Sequence, residues 1–206
     1  MKQQPRERQP SLLAGEPTPQ ARQLGYVHVY YGGGKGKTTA AIGLAVRALG
    51  AGYRVRFIQF DKGHDPERGE HYSERVVLRR LEGLELEVTG CERIQADGSF
   101  RFGVEQADRA EAERGLGLAQ QAVSSGRWDL VVLDEILGAL AYGLVEESEV
   151  LAVLDAHAAA GRRCELVLTG HKLTDAIKER ADLVTHMRKI KHYFDRGVPA
   201  RLGIEF

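Results

Sequence analysis

The sequence predicts an α/β fold in which a mostly parallel sheet is flanked by helices as a three-layer sandwich. Three observations carry that expectation. From Gly25 onward, short apolar strands alternate with helical stretches. "WDLVVLDE" (128–135) and "CELVLTG" (164–170) are continuous apolar runs, the pattern of strands covered on both faces. A glycine-rich loop separates the first strand from the first helix.

The chain's 206 residues suffice for one domain with a substantial core. Lys plus Arg and Asp plus Glu both number 29, so no basic field favours nucleic acid or an anionic membrane, and neither is expected as a partner. No apolar run reaches the roughly 18 residues of a membrane span. The first twenty residues carry no apolar core of a secretory signal. Cys91 and Cys164 form no C-x-x-C pair, which suits a reducing cytoplasm. Cys164 opens an apolar run and reads as a buried thiol, whereas Cys91 falls in a loop.

Pro5, Pro10, Pro17 and Pro19 crowd the start of the chain, so residues 1–24 read as a flexible N-terminal arm and 25–206 as the domain. Leu12, Leu13 and Ala14 give that arm a short apolar stretch able to dock. "YVHVYY" (26–31) alternates as a first strand. "KTTAAIGLAVRALGAG" (37–52) follows as a helix with Ile42, Ala45, Val46 and Leu49 at helical spacing and Gly50 as its stop. "YRVRFIQF" (53–60) and "LELEV" (84–88) are strands, and 105–124 is a helix rich in Ala, Glu and Gln. After the strand "WDLVVLDE" come a helix over 148–160, the strand "CELVLTG", a helix in "LTDAIKERA" (173–181) and a last strand in "LVTHMRKI" (183–190). A tail, 191–206, closes the chain.

"YYGGGKGKTT" (30–39) has the placing of a phosphate loop, after a strand and opening a helix. This makes the expected fold P-loop NTPase-like, of the RecA-like kind. In the common G-x-x-x-x-G-K-[ST] pattern a glycine would stand at Tyr31; here the first glycine comes one residue later, at Gly32. Gly32, Gly33, Gly34 and Gly36 let successive backbone N–H groups converge on phosphate. Lys37 is placed to reach phosphate oxygens, and Thr38 or Thr39 to offer a hydroxyl to Mg²⁺. Asp134 and Glu135 end a buried strand where a metal ligand belongs, and their alternation aims at most one of them straight at the metal. Gln59, Phe60 and Lys62 end another strand at the same carboxyl edge, and Thr169 and His171 are expected exposed at that rim. His28 reads as structural, and His64 and His71, flanking Glu70, as solvated loop residues. There is no H-x-E with C-x-x-C pattern and no G-x-S-x-G elbow.

Together these motifs resemble the cytoplasmic P-loop type of ATP:corrinoid adenosyltransferase. Residues 32–40 are similar to that family's G-x-G-K-G-K-T-T-A, Gln59-Phe60 with Lys62-Gly63 to its Q-F-x-K-G, and Gly69-Glu70 to its G-E. "VVLDE", Thr169-Gly170 and the ending "IKHYFDRGVPARLGIEF" also match. The resemblance implies that Co(I) of a reduced corrinoid attacks C5′ of ATP and that triphosphate leaves whole. It implies ATP contacts from Gly32 to Thr39 and from Gln59 and Lys62, with Lys37 the main cation and Lys35 secondary. Lys37, Thr38 and Glu135 would serve the reaction, and Thr38 with Asp134 or Glu135 would hold Mg²⁺. Phe100 and Phe102 in "SFRF" would contact the corrinoid, in the place of the family's F-x-W and behind an apparent insertion, "CERIQADG". His171-Lys172 stands where the family commonly has arginine. A homodimer and a flavoprotein reductase as electron source complete the family picture.

Two rivals share the phosphate loop. A kinase or ATPase would release ADP. A nucleotide-switched regulator of the partitioning type would carry a signature lysine where Gly32 stands.

Overall fold

The computed structural model describes residues 23–63, 69–93 and 101–206. All but the last two residues of the expected arm, and also His64 and Phe100, lie outside the described residues. In chain order the elements are β1 (Val27–Tyr31), α1 (Lys37–Gly50), β2 (Val55–Gln59), α2 (Ser73–Leu78), β3 (Leu84–Val88) and α3 (Gln106–Ser124). They continue with β4 (Leu130–Asp134), α4 (Ile136–Ala141), α5 (Glu147–Ala159), β5 (Glu165–Gly170), α6 (Asp175–Arg180) and β6 (Leu183–His186). A 3-10 turn over Tyr193–Arg196 follows.

The strands form one sheet in the order β3-β2-β4-β5-β1-β6, and every neighbouring pair is parallel. Parallel neighbours need crossovers, which the helices supply. β5 lies between β1, which feeds the glycine loop, and β4, which ends in Asp134. That spacing is the RecA-like arrangement, and it puts Thr169 and Gly170 between the loop and the acidic strand end.

Side chains alternate across the sheet and build two apolar layers. Val27, Val29, Ile58, Val131, Leu133, Leu166 and Leu168 pack with residues of α3, α4 and α5. Val55, Phe57, Leu130, Val132 and Val167 pack on the other face against Ala41, Ala45 and Ala48 of α1 and Leu78 of α2. β4 is buried along its whole length, as its unbroken apolar run requires.

The structure corrects three local readings. The buried stripe of α1 is Ala41, Ala45 and Ala48, while Val46 is exposed; three alanines bring this helix close to the sheet, so the larger residues fall to its flanks. α2 and α4 were not anticipated, because six residues are too few to show a helical period. α4 starts directly behind β4, after Glu135 turns into the left-handed region at φ 62. Thr169, expected exposed at the rim, is fully buried.

Candidate active site

The loop between β1 and α1 is shaped by what surrounds it. Gly32 and Gly36 both adopt φ 117, a region that side chains other than glycine rarely enter. Gly32 N donates to Gly170 O at 3.1 Å and Gly34 N to Met187 O at 2.8 Å, so the loop is laced to the ends of β5 and β6. A Cβ on Gly34 would lie 2.7 Å from Met187 O and 2.8 Å from Arg188 C, whereas one on Gly33 would meet nothing within 4 Å. Gly34→Ala is therefore expected to weaken ATP binding by about tenfold, or about 1.4 kcal/mol, at the lower end of the roughly 1–3 kcal/mol that overpacking costs, while Gly33→Ala stays within about twofold. Calorimetric titration of ATP into both variants checks this, and equal losses would contradict the packing account.

Lys37 opens α1 and is only 7% exposed. Its Nζ donates to Gly32 O at 2.9 Å and Gly34 O at 3.0 Å, closing the loop under itself and leaving one of its three protons for a ligand. α1 begins without a side-chain cap and with no acidic residue in its first turn. In contrast, α3 and α5 carry capping boxes from Glu105 with Asp108 and from Glu146 with Glu149. The first N–H groups of a helix have no intrahelical partner, so the N-terminus of α1 presents donors and positive potential to an anion. Gly33, Lys35 and Thr39 are exposed, and Thr38 is half-buried. Lys35 turns away from the loop: its Nζ donates to Ile204 O at 2.6 Å and lies 3.5 Å from Glu205. Glu205 accepts from the side chains of Arg201 and Tyr193, which hold its pKa down at about 2. The chain's last residue is fastened at Ser73, whose hydroxyl donates to Phe206 O at 3.1 Å.

Asp134 is the hub of the site. Its Oδ1 accepts from Thr169 Oγ1 at 2.7 Å. Its Oδ2 accepts from Lys62 Nζ at 2.8 Å, Gln59 Nε2 at 3.2 Å and Thr38 Oγ1 at 3.3 Å. Complete burial alone would raise its pKa, but the Lys62 ammonium and the hydrogen bonds from Lys62, Thr169 and Thr38 outweigh burial and hold it below the ordinary carboxylate value. Glu135 behaves oppositely: burial and then the neighbouring Asp134 charge push it up. The Glu135 amide donates to Thr169 Oγ1 at 2.9 Å, so one buried hydroxyl positions both acidic residues. The Glu135 carboxylate folds toward α4, with Oε2 2.4 Å from where a Cβ on Gly138 would sit.

Sequence reasoning missed Arg75. This fully buried guanidinium donates to Gln59 Oε1 at 2.6 Å, to Lys62 O at 2.5 Å and to Glu70 Oε1 at 3.0 Å. Its centre also lies 4.2 Å from the Tyr72 ring centroid. With Gln59 Oε1 held by Arg75, the amide nitrogen faces Asp134. Glu70 ties Arg75 to Arg79. Of the remaining candidates, His171 is exposed, and His28 in β1 has its Nε2 2.8 Å from Glu165 Oε2 at the start of β5. His71 stands 3.8 Å from Glu92. Phe102 is 85% exposed on the loop ahead of α3. That loop is anchored on both sides of the ring: Arg101 forms a bidentate pair with buried Asp108 at 2.8 and 2.7 Å, and Arg93 donates to Gly103 O at 2.8 Å.

Comparison with known proteins agrees with this geometry. The family model described as ATP:corrinoid adenosyltransferase BtuR/CobO/CobP matches residues 23–206. A Pseudomonas aeruginosa protein named corrinoid adenosyltransferase is 36% identical over 196 residues, covering 94% of this chain and 90% of its own length. An Escherichia coli K12 protein of the same name is 32% identical over 186 residues, covering 89% and 87%. A Salmonella typhimurium protein named corrinoid adenosyltransferase CobA is 33% identical over 184 residues, again covering 89% and 87%. The match takes in the glycine loop, the acidic strand end and the tail, and the chain belongs to the ATP:corrinoid adenosyltransferase family.

Proposed function

We propose that this protein transfers the 5′-deoxyadenosyl group of ATP to the Co(I) centre of a reduced corrinoid. The cobalt electron pair forms the bond to C5′, the C5′–O bond breaks, and triphosphate leaves with the bonding electrons. The observation that carries this reading is an anion cradle built of donors where β1 runs into α1. Lys37 closes the glycine loop, α1 offers an uncapped N-terminus, and the buried carboxylate Asp134 is taken up by four donors. Such a site positions a polyphosphate and neutralises charge on it, which is what departure of an intact triphosphate requires.

The residues fit Mg²⁺. Thr38, Asp134 and Glu135 are hard oxygen donors. Among the described residues no group of three or more His, Cys, Asp or Glu forms a full protein cage. A cation that keeps phosphate and water ligands needs only one or two protein oxygens. Thr38 gives its proton to Asp134 and accepts from Lys62 Nζ at 3.3 Å, which leaves one lone pair for a cation, and Asp134 Oδ2 already accepts three bonds. Thr38 and Glu135 would therefore hold Mg²⁺, with Asp134 orienting Thr38. Bound there, Mg²⁺ supplies neutralisation of the leaving triphosphate. Phe102, projecting from an anchored loop, would lie against the apolar face of the corrin, with Phe100 as its neighbour in sequence.

The same reading takes 25–206 as the catalytic domain and 1–24 as an arm, which the start of the family match at residue 23 supports. It places the protein in the cytoplasm as a homodimer served by a flavoprotein reductase. The free thiols Cys91 and Cys164 suit such a compartment, and among the described residues no helix is long and apolar enough to cross a membrane. The test is anaerobic incubation with ATP, Mg²⁺ and chemically reduced cobalamin under optical observation. Loss of the Co(I) spectrum only when ATP is present is expected; a Co(I) spectrum unaffected by ATP would overturn the proposal.

A further inference from the structure

The oxygen donors assigned to a divalent cation already share a cation supplied by the chain. Lys62 Nζ lies 2.8 Å from Asp134 Oδ2 and 3.3 Å from Thr38 Oγ1. Among the charges acting on it, Glu135 comes next after Asp134. The backbone of Lys62 is fixed on both sides, while its ammonium is free of any covalent tether beyond its own flexible stem. Its own backbone carbonyl accepts from buried Arg75, its backbone N–H donates to Thr89 O at 3.0 Å, and its ammonium lies 5.6 Å from the Tyr72 ring centroid.

We infer that the Lys62 ammonium is the resident cation of this site, neutralising Asp134 beside Thr38 and yielding to a divalent cation only when a nucleotide triphosphate arrives. The inference rests on the Mg²⁺ assignment proposed above and deepens it. With Lys62 in place, the fully buried Asp134 carries a compensated charge. A divalent ion approaching alone meets a like charge a few ångströms from its ligands. A triphosphate changes both sides of that balance. It brings further negative charge to attract the divalent ion, and it offers the lysine a new anionic partner within reach of a side-chain rotation. Binding of cation and nucleotide is then coupled by electrostatics, with Lys62 as the element that moves. Lys62 is thus a positioning residue before it is a phosphate ligand.

The probe is Mn²⁺, followed by water-proton relaxation enhancement, which separates protein-bound Mn²⁺ from its complex with free ATP. The full chain is used without corrinoid. Wild-type protein is expected to show enhancement with ATP, and an apparent Mn²⁺ affinity at least about tenfold weaker without it, about 1.4 kcal/mol of coupling. Lys62→Met, which leaves Asp134 without its counter-charge, is expected to bind Mn²⁺ alone at least about tenfold more tightly than wild type and to gain thermal stability from Mn²⁺ where wild type gains none. Adding Asp134→Asn to Lys62→Met is expected to abolish that gain. Nucleotide-free Mn²⁺ binding by the wild type as tight as in the presence of ATP overturns the inference alone, and this arm holds even if the variant does not fold. No protein-bound Mn²⁺ with ATP present overturns the cation assignment and the inference with it.

Discussion

Lys37→Ala is expected to lower kcat/KM for ATP-dependent cobalt–carbon bond formation by about two to three orders of magnitude, the scale on which a single charge-stabilising donor acts. The magnitude follows from two tasks performed by one ammonium. Its contacts to Gly32 O and Gly34 O close the loop, and its remaining proton faces the anion position at the start of α1. Alanine removes the cation and leaves two carbonyls without their donor in a largely buried place, which adds about 1–3 kcal/mol of local cost. The expected signature is loss of ATP affinity and of turnover together, with the circular dichroism of the fold retained. Steady-state kinetics alongside calorimetric ATP titration checks it, and wild-type kinetics in the variant would remove Lys37 from the site.

The second large effect is on stability. Arg75→Met is expected to destabilise the protein by about 3 kcal/mol, since it removes a fully buried guanidinium whose hydrogen bonds join three segments and leaves buried acceptors unsatisfied. For a chain of this size that corresponds to a fall in Tm of roughly 6–12 °C. Three acceptors lose this donor at once: Gln59 Oε1, Lys62 O and Glu70 Oε1, the last keeping the Tyr72 amide at 3.2 Å. The Gln59 amide is then free to turn, so weaker ATP binding should accompany the thermal loss even well below the new Tm. Differential scanning calorimetry with ATP titration at a low temperature separates the two effects. An unchanged Tm would show that Arg75 carries no such weight.

Much of the fold is legible in the chain because its signals are local. Strands β1, β2, β4 and β5 announce themselves by alternation or by unbroken apolar runs, and the glycine loop marks where the sheet meets phosphate. What is not legible depends on contacts between distant segments. Arg75 sits in an ordinary-looking charged stretch, and its role appears only when the end of β2 and Glu70 fold around it. Thr169 looks like a rim residue until β4 supplies Asp134 to receive its hydroxyl. Strand alternation alone cannot divide Asp134 from Glu135, because the alternation ends there: Glu135 turns left-handed and its side chain follows α4 rather than the sheet. Lys35 reads as a second phosphate cation, yet the tail fastens it to Ile204 and Glu205 from the far end of the chain. The first glycine, one residue late at Gly32, is a local feature whose consequence is tertiary, since Gly32 and Gly34 are the points where the loop is laced to β5 and the end of β6.

The central claim is that this cradle lets the triphosphate go whole. Phosphorus NMR of a completed single turnover with ATP, Mg²⁺ and reduced cobalamin tests it most directly. One equivalent of inorganic triphosphate for each cobalt alkylated, with no ADP, is the predicted result; ADP and orthophosphate in place of triphosphate would contradict it.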